Sequence, residues 1–294
     1  MRQFVAEVMP DAQGCIAVSG KKFHYVRSVL RIETGDMMYV RLPDGALQQM
    51  TVARIDDGSK TAILTVAGDE SFARSAPVHD VLENGSKAPP VNQKPPVSLW
   101  LFQFIAKPPK MELIIRQAVE CGVSVIVPVM GEFCQSGCIE SARKRTAASD
   151  TRWQRIITEA REQSGSPVDT RIAECVTVDE ACRLWQKHVS LEAERSDGMH
   201  HAFAAVLYEQ SAKTMLFHEA FGRTLESNVE CNAAAVMVGA EGGISPSELE
   251  LVSQNGFVPV HFKTNILRCE TAALYGLAVL QNTITESAVW QLKK

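Results

Sequence analysis

Strand-like apolar segments alternate with segments of helical apolar spacing from residue 97 onward, and this alternation constrains the fold more than any other feature of the sequence. Four short segments are mostly apolar, as buried strands are: 97–104, 123–129, 202–208 and 233–239. Between them, Pro108-Pro109 opens a helical pattern, and residues 146–163 carry another with apolar residues at helical spacing. Strands that alternate with helices predict an α/β domain with a largely parallel sheet.

The first 74 residues have a different pattern, of short strands joined by turns. Three segments are rich in strand-forming residues: 36–42, 48–55 and 61–66. Strands at this spacing predict a small barrel. Residues 24–31 carry a helical pattern that places Arg27 and Arg31 four apart on one side.

A third segment, 75–96, separates these two patterns. It holds five of the 13 prolines of the chain. Such a composition is typical of a linker or a long loop. We therefore predict three parts: a domain over 1–74, a Pro-rich linker over 75–96 and a second domain over 97–294.

Composition and charge exclude several classes of protein. Hydrophobic residues make up 46% and charged residues 22% of the 294 residues, which is ordinary for a globular protein. No apolar run approaches the ~18 to 20 residues of a membrane span, and the start shows no secretory signal, so we expect no membrane association and a cytoplasmic location. The net charge of −4 argues against a chain that binds nucleic acid through its overall charge.

Metal ligands are few and incomplete in the sequence. The eight cysteines form no Cys-x-x-Cys pair, which favours reduced thiols over a disulfide framework. Cys134 with Cys138, and His200 with His201, are conceivable metal pairs, but neither has a complete ligand set. We predict no metal.

A glycine-rich turn follows the apolar strand at 233–239 and leads into a helix. The turn runs Gly239-Ala240-Glu241-Gly242-Gly243, and Ser245 with Glu248 forms a capping-box pattern at the helix start. The spacing fits neither a P-loop nor the dinucleotide fingerprint. Two interpretations stay open: a tight strand-to-helix connection, or a turn that holds a small molecule beyond the carboxyl end of a parallel strand.

A second polar segment, Phe262 to Ala272, opens the last apolar helix. Arg268 and Glu270 introduce charges where the helix start is otherwise apolar, which is unusual. Their role is either capping and ion pairing at the helix terminus, or, for Arg268, contact with an anion or a developing charge.

These two segments together resemble the paired carboxyl-terminal motifs of the RsmE family of SPOUT-class methyltransferases. The strings are Gly-Ala-Glu-Gly-Gly-Ile-Ser at 239–245 and Ile-Leu-Arg-Cys-Glu-Thr-Ala at 266–272. Further ordered matches spread over nearly the whole chain: 24–31, Lys107 with Met111-Glu112, 120–123, 153–155 and 162–165.

The resemblance implies a fold, a reaction and partners. The fold is α/β, with a trefoil-knotted parallel sheet covered by helices on both faces and a small amino-terminal PUA-like β-barrel that helps to hold RNA. The reaction is S-adenosylmethionine-dependent methylation of N3 of a uridine in 16S (small-subunit) ribosomal RNA, without a metal. The partner is that RNA in the small ribosomal subunit, and family members are homodimers with the active site at the subunit interface.

The resemblance also carries site residues onto this chain. Those expected to line the cofactor are Leu207, Glu209, Gly239, Glu241, Gly242, Gly243, Phe262, Ile266 and Leu267. Arg268 is the catalytic candidate, because a cation near O2 or O4 stabilises the anion of a uridine that has lost its N3 proton. Arginine is a poor base, so water or another group takes that proton. Arg27 and Arg31 are candidate phosphate contacts.

Five positions depart from the family pattern. Ala240 stands where the family usually has proline, and Lys263, Asn265, Ser166 and Gln117 stand where it usually has glycine, arginine, arginine and lysine. They leave two alternatives open: a same-fold methyltransferase acting on another RNA site, and a non-catalytic RNA-binding or ribosome-assembly protein.

Overall fold

The computed structural model describes residues 4–66, 97–147, 152–195, 201–210, 213–224 and 231–290. The chain divides into two compact units, residues 1–94 with 158–169, and residues 95–157 with 170–294. The whole of the predicted linker 75–96 lies outside the described residues. No sequence pattern had assigned 158–169 to the first unit.

The first unit contains a five-stranded sheet. Its strands are β1 (Phe4–Val5), β2 (Cys15–Ser19), β3 (Met37–Arg41), β4 (Leu47–Asp56) and β5 (Thr61–Val66). They lie in the order β1-β3-β4-β5-β2, with β1 parallel to β3 and the other pairs antiparallel. Inward-facing apolar residues such as Val40, Met50 and Leu64 are fully buried between strands and helix. The three predicted strands are confirmed. Over the described residues β1 and β2 are not paired, so the sheet forms an open half-barrel there.

The predicted helix over 24–31 is wrong at both ends. Helix α1 spans Gly20–His24 and continues as a π-helical turn over Tyr25–Val29. The backbone N–H of Leu30 donates to the carbonyl five residues back at 2.9 Å, which widens the last turn. Arg31 follows with φ of 56° and lies outside the helix. Arg27 and Arg31 therefore do not share a helix face.

The second unit is built on an eight-stranded sheet in which every pairing is parallel. The strands are β6 (Ser98–Phe104), β7 (Val125–Met130), β8 (Arg171–Ile172), β9 (Val176–Thr177), β10 (His201–Leu207), β11 (Met215–Leu216), β12 (Cys231–Val238) and β13 (Val258–His261). Their order is β11-β13-β10-β12-β6-β7-β8, with β9 also paired to β7. The prediction of an α/β domain with a parallel sheet is confirmed.

Seven helices follow β6 in the described ranges, and the third of them crosses into the first unit at residue 158. They are α2 (Pro108–Glu120), α3 (Ser136–Thr146), α4 (Arg152–Ser164), α5 (Val178–Arg195), α6 (Phe217–Thr224), α7 (Pro246–Gln254) and α8 (Cys269–Trp290). The helix predicted over 146–163 corresponds to α4, which begins later, at Arg152; Thr146 is the last residue of α3, a helix that the sequence did not predict, and residues 148–151 lie outside the described ranges. None of the described helices is long and apolar enough to cross a membrane.

Helices cover both faces of the sheet. Strand side chains alternate between faces, and Ala235 and Met237 of β12 pack in one core with Trp185 of α5 and Val252 of α7. On the opposite face, Val236 lies against α8, which also packs on α2. Every residue of β12 but one is buried, so this strand is the centre of the unit.

Candidate active site

A cavity of about 530 Å³ opens beyond the carboxyl ends of β10, β12 and β13. Three chain segments form most of its wall: 207–209, 238–244 and 260–269, joined by Lys110 from the first turn of α2. Its volume is in the range that holds a small molecule or cofactor. Parallel α/β sheets bind ligands at this edge, where loops that follow neighbouring strands converge.

Glycine is required at three points of the turn after β12. A Cβ at Gly239 would lie 2.9 Å from the backbone carbon of Gly243, and a Cβ at Gly242 would lie 2.7 Å from Cβ of Phe133. Gly243 has φ of 78°, and its N–H donates to the carbonyl of Ala240 at 3.0 Å. The turn is therefore a tight backbone loop in the cavity wall, packed too closely at Gly239 and Gly242 for any side chain.

The predicted capping box at the start of α7 is confirmed. The Ser245 hydroxyl accepts from the Glu248 N–H at 3.3 Å, and the Glu248 carboxylate accepts from the Ser245 N–H at 2.9 Å. The other carboxylate oxygen of Glu248 accepts from the N–H of Glu132 at 2.7 Å. One carboxylate thus holds the end of the glycine turn and the loop after β7 together.

An aromatic cluster supports the segment after β13. The ring of Phe262, which lines the cavity, stacks on Phe217 with centroids 6.0 Å apart and meets Tyr275 edge-on at 4.8 Å. Beyond it, Ile266 is 84% exposed although it lines the cavity wall. An apolar side chain this exposed at a cavity mouth is suited to contact a ligand.

Lys110 connects three elements at the edge of the cavity. Its Nζ lies 3.1 Å from Oε2 of Glu270, 3.6 Å from Oε1 of Glu241 and 3.8 Å from Sγ of Cys269. The same oxygen of Glu241 accepts from the backbone N–H of Lys107 at 3.2 Å. The start of α2 is thereby linked to the glycine turn and to the first turn of α8.

These contacts shift the pKa values of the cluster. The hydrogen bond with Glu270 raises the pKa of Lys110. Burial raises the pKa of Glu270, but hydrogen bonds from its own N–H, from Lys110 and from Cys269 outweigh burial and leave its pKa lowered. Burial, with the neighbouring Glu270, raises the pKa of the Cys269 thiol to about 12. At neutral pH the cluster therefore contains the Lys110 ammonium, the Glu270 carboxylate and a neutral Cys269 thiol.

Arg268 precedes the first residue of α8, where its carbonyl accepts from the N–H of Ala272 at 2.7 Å. Its side chain is exposed and lines the cavity. Over the residues that the structure describes, its guanidinium has no hydrogen-bond or ion-pair partner. The neighbouring Glu270 pairs with Lys110 instead. Arg268 is consequently a free cation at the mouth of the cavity.

The structure brings together all ten residues that the sequence assigned to catalysis or to a cofactor: Leu207, Glu209, Gly239, Glu241, Gly242, Gly243, Phe262, Ile266, Leu267 and Arg268. Arg27 and Arg31 belong to the other unit, where Arg27 Nε lies 3.4 Å from the carboxylate of Asp57. Lys263 and Asn265 are both exposed, but of the two Asn265 lines the cavity and Lys263 does not. Lys110 is among the cavity residues that sequence reasoning missed, and it is the one that carries a charge.

Candidate metal ligands do not cluster anywhere in the described ranges: no group of three or more His, Cys, Asp or Glu residues is placed to hold an ion.

Fold and cavity together define an α/β domain of the kind that binds a small molecule at the carboxyl edge of a parallel sheet. Residues 93–281, more than half of the chain, match the family model described as RNA methyltransferase domain. The chain therefore belongs to the RNA methyltransferase family, and the resemblance to RsmE proteins is confirmed.

Two similar proteins are both named Ribosomal RNA small subunit methyltransferase E. The chain is 28% identical over 191 residues (64% of this chain, 70% of the relative) to Ribosomal RNA small subunit methyltransferase E of Aquifex aeolicus. It is 21% identical over 264 residues (90% and 88%) to the protein of that name from Bacillus subtilis.

Solved structures share the fold over nearly the full length. The enzyme of that name from Neisseria gonorrhoeae, bound to S-adenosyl methionine, has a TM-score of 0.69 at 22% identity and covers 96% of this chain and 98% of its own. A putative methyltransferase from Legionella pneumophila, in complex with SAM, has a TM-score of 0.67 at 24% identity and 96% coverage of both chains.

Proposed function

We propose that the protein transfers a methyl group from S-adenosylmethionine to N3 of a uridine in 16S ribosomal RNA. The observation that carries this proposal is the free guanidinium of Arg268 at the mouth of a glycine-walled cavity. The names of the relatives support the small-subunit RNA as the substrate.

The cavity residues fit S-adenosylmethionine. The positions at Gly239 and Gly242 have no room for a Cβ because neighbouring protein atoms fill that space, so glycine lets the turn pack tightly as a wall of the cavity. Leu207, Phe262 and Leu267 add apolar wall, and Glu209 adds a carboxylate on the side of Gly243. We assign these residues, with Glu241, Gly243 and Ile266, to cofactor binding. When bound, the cofactor supplies a methyl group already activated on a sulfonium.

The residues of the chain have two tasks in this reaction. The cavity must align N3 for in-line attack, as the N3–C bond forms and the S–C bond breaks. Neutral uridine carries a proton on N3, so the pyrimidine must lose that proton and delocalise the charge onto O2 and O4. Arg268 stabilises this charge electrostatically and does not accept the proton, because an arginine is always protonated in proteins. We assign the proton to water, and no metal takes part.

The rest of the molecule is assigned in the same proposal. The half-barrel sheet of the first unit is part of a PUA-like barrel that holds RNA, and Arg27 and Arg31 contact phosphates. The carboxyl-terminal segments of the second unit form a trefoil knot, and the protein acts as a homodimer on the small subunit in the cytoplasm.

A second candidate is a same-fold methyltransferase that acts on another RNA site. Asn265 lines the cavity where the family usually has arginine, which removes a cation from the substrate side. We rank it below the first proposal because Arg268 and the glycine turn are intact.

The decisive experiment offers labelled S-adenosylmethionine and small ribosomal subunits from cells that lack this gene, and maps the product by mass spectrometry. We expect one N3-methyluridine. Arg268→Ala should lower kcat by about 100-fold to 1,000-fold, as loss of one charge-stabilising donor does, while cofactor Kd stays within about twofold.

The matched control is Arg223→Ala on α6, an exposed arginine that does not line the cavity, which should keep full activity. Equal loss of cofactor binding and turnover in Arg268→Ala would assign Arg268 to binding. Label at another nucleotide would establish the second candidate, and cofactor binding with no label on any RNA would indicate a non-catalytic protein.

A further inference from the structure

The charged side chains around the cavity are unequally paired. Lys110 contacts Glu241 and Glu270, whereas Arg268 has no partner within the described ranges, although it lies two residues before Glu270 and lines the same cavity as Glu241. Arginine is the better partner for a carboxylate, since its planar fork binds both oxygens. The pairing with lysine therefore needs an explanation.

The geometry of the lysine provides one. An ammonium has three donors, and Lys110 has three acceptors within reach: the two carboxylates and the thiol of Cys269. On each carboxylate one oxygen accepts a second donor, from the N–H of Lys107 on Glu241 and from the Cys269 thiol on Glu270. Each carboxylate thus binds a donor from α2, and within the described ranges neither forms an ion pair with the exposed Arg268.

We propose that Lys110 is a positioning residue: it engages Glu241 and Glu270 so that neither carboxylate captures Arg268, whose guanidinium stays available to a negatively charged substrate atom. Lys110 lies on α2 and Arg268 precedes α8, so the two cations are held by separate elements. The role of Arg268 toward the substrate rests on the proposed function, whereas the ion pairs of Lys110 with Glu241 and Glu270 do not.

A purely structural role for Lys110 makes a different prediction. If the lysine only joins α2 to α8, its loss loosens the cavity wall, and cofactor binding falls together with turnover. Neutralising Glu270 would then remove a second contact and make the loss worse. If the lysine protects Arg268, neutralising Glu270 in the same variant relieves the defect.

The test compares Lys110→Met, Glu270→Gln and the double variant in the full-length protein, with Lys187→Met on the exposed face of α5 as control. Phenylglyoxal modifies free guanidinium groups, and peptide mass spectrometry measures its rate at Arg268 without cofactor or RNA. We expect Arg268 to react severalfold more slowly in Lys110→Met, faster again in the double variant, where Glu241 is the remaining carboxylate of the pair, and at the original rate in the control.

Turnover gives the second measurement. Lys110→Met should lower kcat about tenfold through misplacement of Arg268, with cofactor Kd by calorimetry within about twofold, and Glu270→Gln should restore part of kcat. If Lys110→Met does not fold, Lys110→Gln keeps a polar side chain and serves the same comparison.

An unchanged modification rate at Arg268 in the Lys110 variants overturns the proposal, and so does a double variant that is no better than Lys110→Met in that rate. Failure of the proposed function has another signature: the unmodified protein would transfer no methyl group to the small subunit, while the modification rates still follow the predicted order.

Discussion

Two ion clusters of opposite charge balance are centred on α2 residues that stand two positions apart, Lys110 and Glu112. At Lys110 one cation lies between two carboxylates, at the cavity. At Glu112 one carboxylate binds Arg152 through two hydrogen bonds of 3.0 and 2.6 Å, with Arg145 4.0 Å away. Lys110 lines the cavity and Glu112 does not. The same helix therefore joins an ion cluster at the site to another that connects α2, α3 and α4.

Ion pairing alone therefore does not identify a functional residue, because both Lys110 and Glu112 form ion pairs and only Lys110 lines the cavity. Both clusters shift pKa values through a hydrogen-bonded partner, upward for Lys110 and downward for Glu112. They differ in what their loss exposes. Loss of Lys110 leaves two carboxylates beside a cavity and a free arginine, whereas loss of Glu112 leaves arginines that reach solvent.

Charge reversal gives the largest expected contrast. Lys110→Glu places three carboxylates together and should separate the start of α2 from the glycine turn, raising cofactor Kd by at least about tenfold, or ~1.4 kcal/mol. Glu112→Arg adds a cation to the arginine cluster and should leave Kd within about twofold. Calorimetry on both variants makes the comparison, and thermal melts confirm folding. An equal loss of affinity in both would remove the distinction between the clusters.

A smaller effect is expected from Glu112→Gln, measured as the free energy of unfolding in urea. Because Arg152 is about half exposed, the pair should contribute only ~0.5 to 1 kcal/mol at pH 7. The hydrogen bond from Arg152 lowers the pKa of Glu112 below 4.5, so this contribution is present above pH 4.5 and is lost as pH falls through the lowered pKa.

The pH series therefore has a definite shape. The difference between the unmodified protein and Glu112→Gln should be constant from about pH 6 to 8 and should shrink below about pH 4.5. Glu140→Gln, an exposed carboxylate on α3, should show no such dependence. A difference that grows toward low pH would contradict the assignment.

The smallest stability effect is expected at the exposed pair of Arg27 and Asp57, where the side chains are 40% and 64% accessible. Arg27→Ala and Arg31→Ala should each change the free energy of unfolding by less than about 0.5 kcal/mol. Each should instead lower the slope of log K against log salt for RNA binding by about one phosphate contact. Lys187→Ala serves as the control, and an unchanged slope would remove these arginines from the RNA surface.

The sequence predicted what local patterns encode. Ser245 and Glu248 stand three apart after an apolar strand, which is enough to define a capping box without tertiary information. The apolar runs likewise predicted the central strands. By contrast α3 went unpredicted, because only Cys138 and Ala142 of its residues are buried, and so few apolar positions give a weak helical period.

Tertiary contacts decided what the sequence left open. Lys110 had no distinguishing local pattern, since its partners Glu241 and Glu270 are far away along the chain and meet it only when α2 packs on α8. Arg31 follows a π-helical turn, and a window of eight residues contains no signal that separates such a turn from an ordinary helix. Motifs in order along the chain predicted the residues of the site, whereas the ion pairs among its charged side chains depend on the tertiary structure.

The position of the glycine turn has a consequence for the thermodynamics of binding. Gly239 directly follows β12, the buried strand that lies between β10 and β6, and the far end of the turn is fixed by Ser245 and Glu248. Glycine has the largest backbone entropy to lose, and here that entropy is lost when the sheet forms. A ligand then meets a backbone that is already ordered, and its association carries little of that cost.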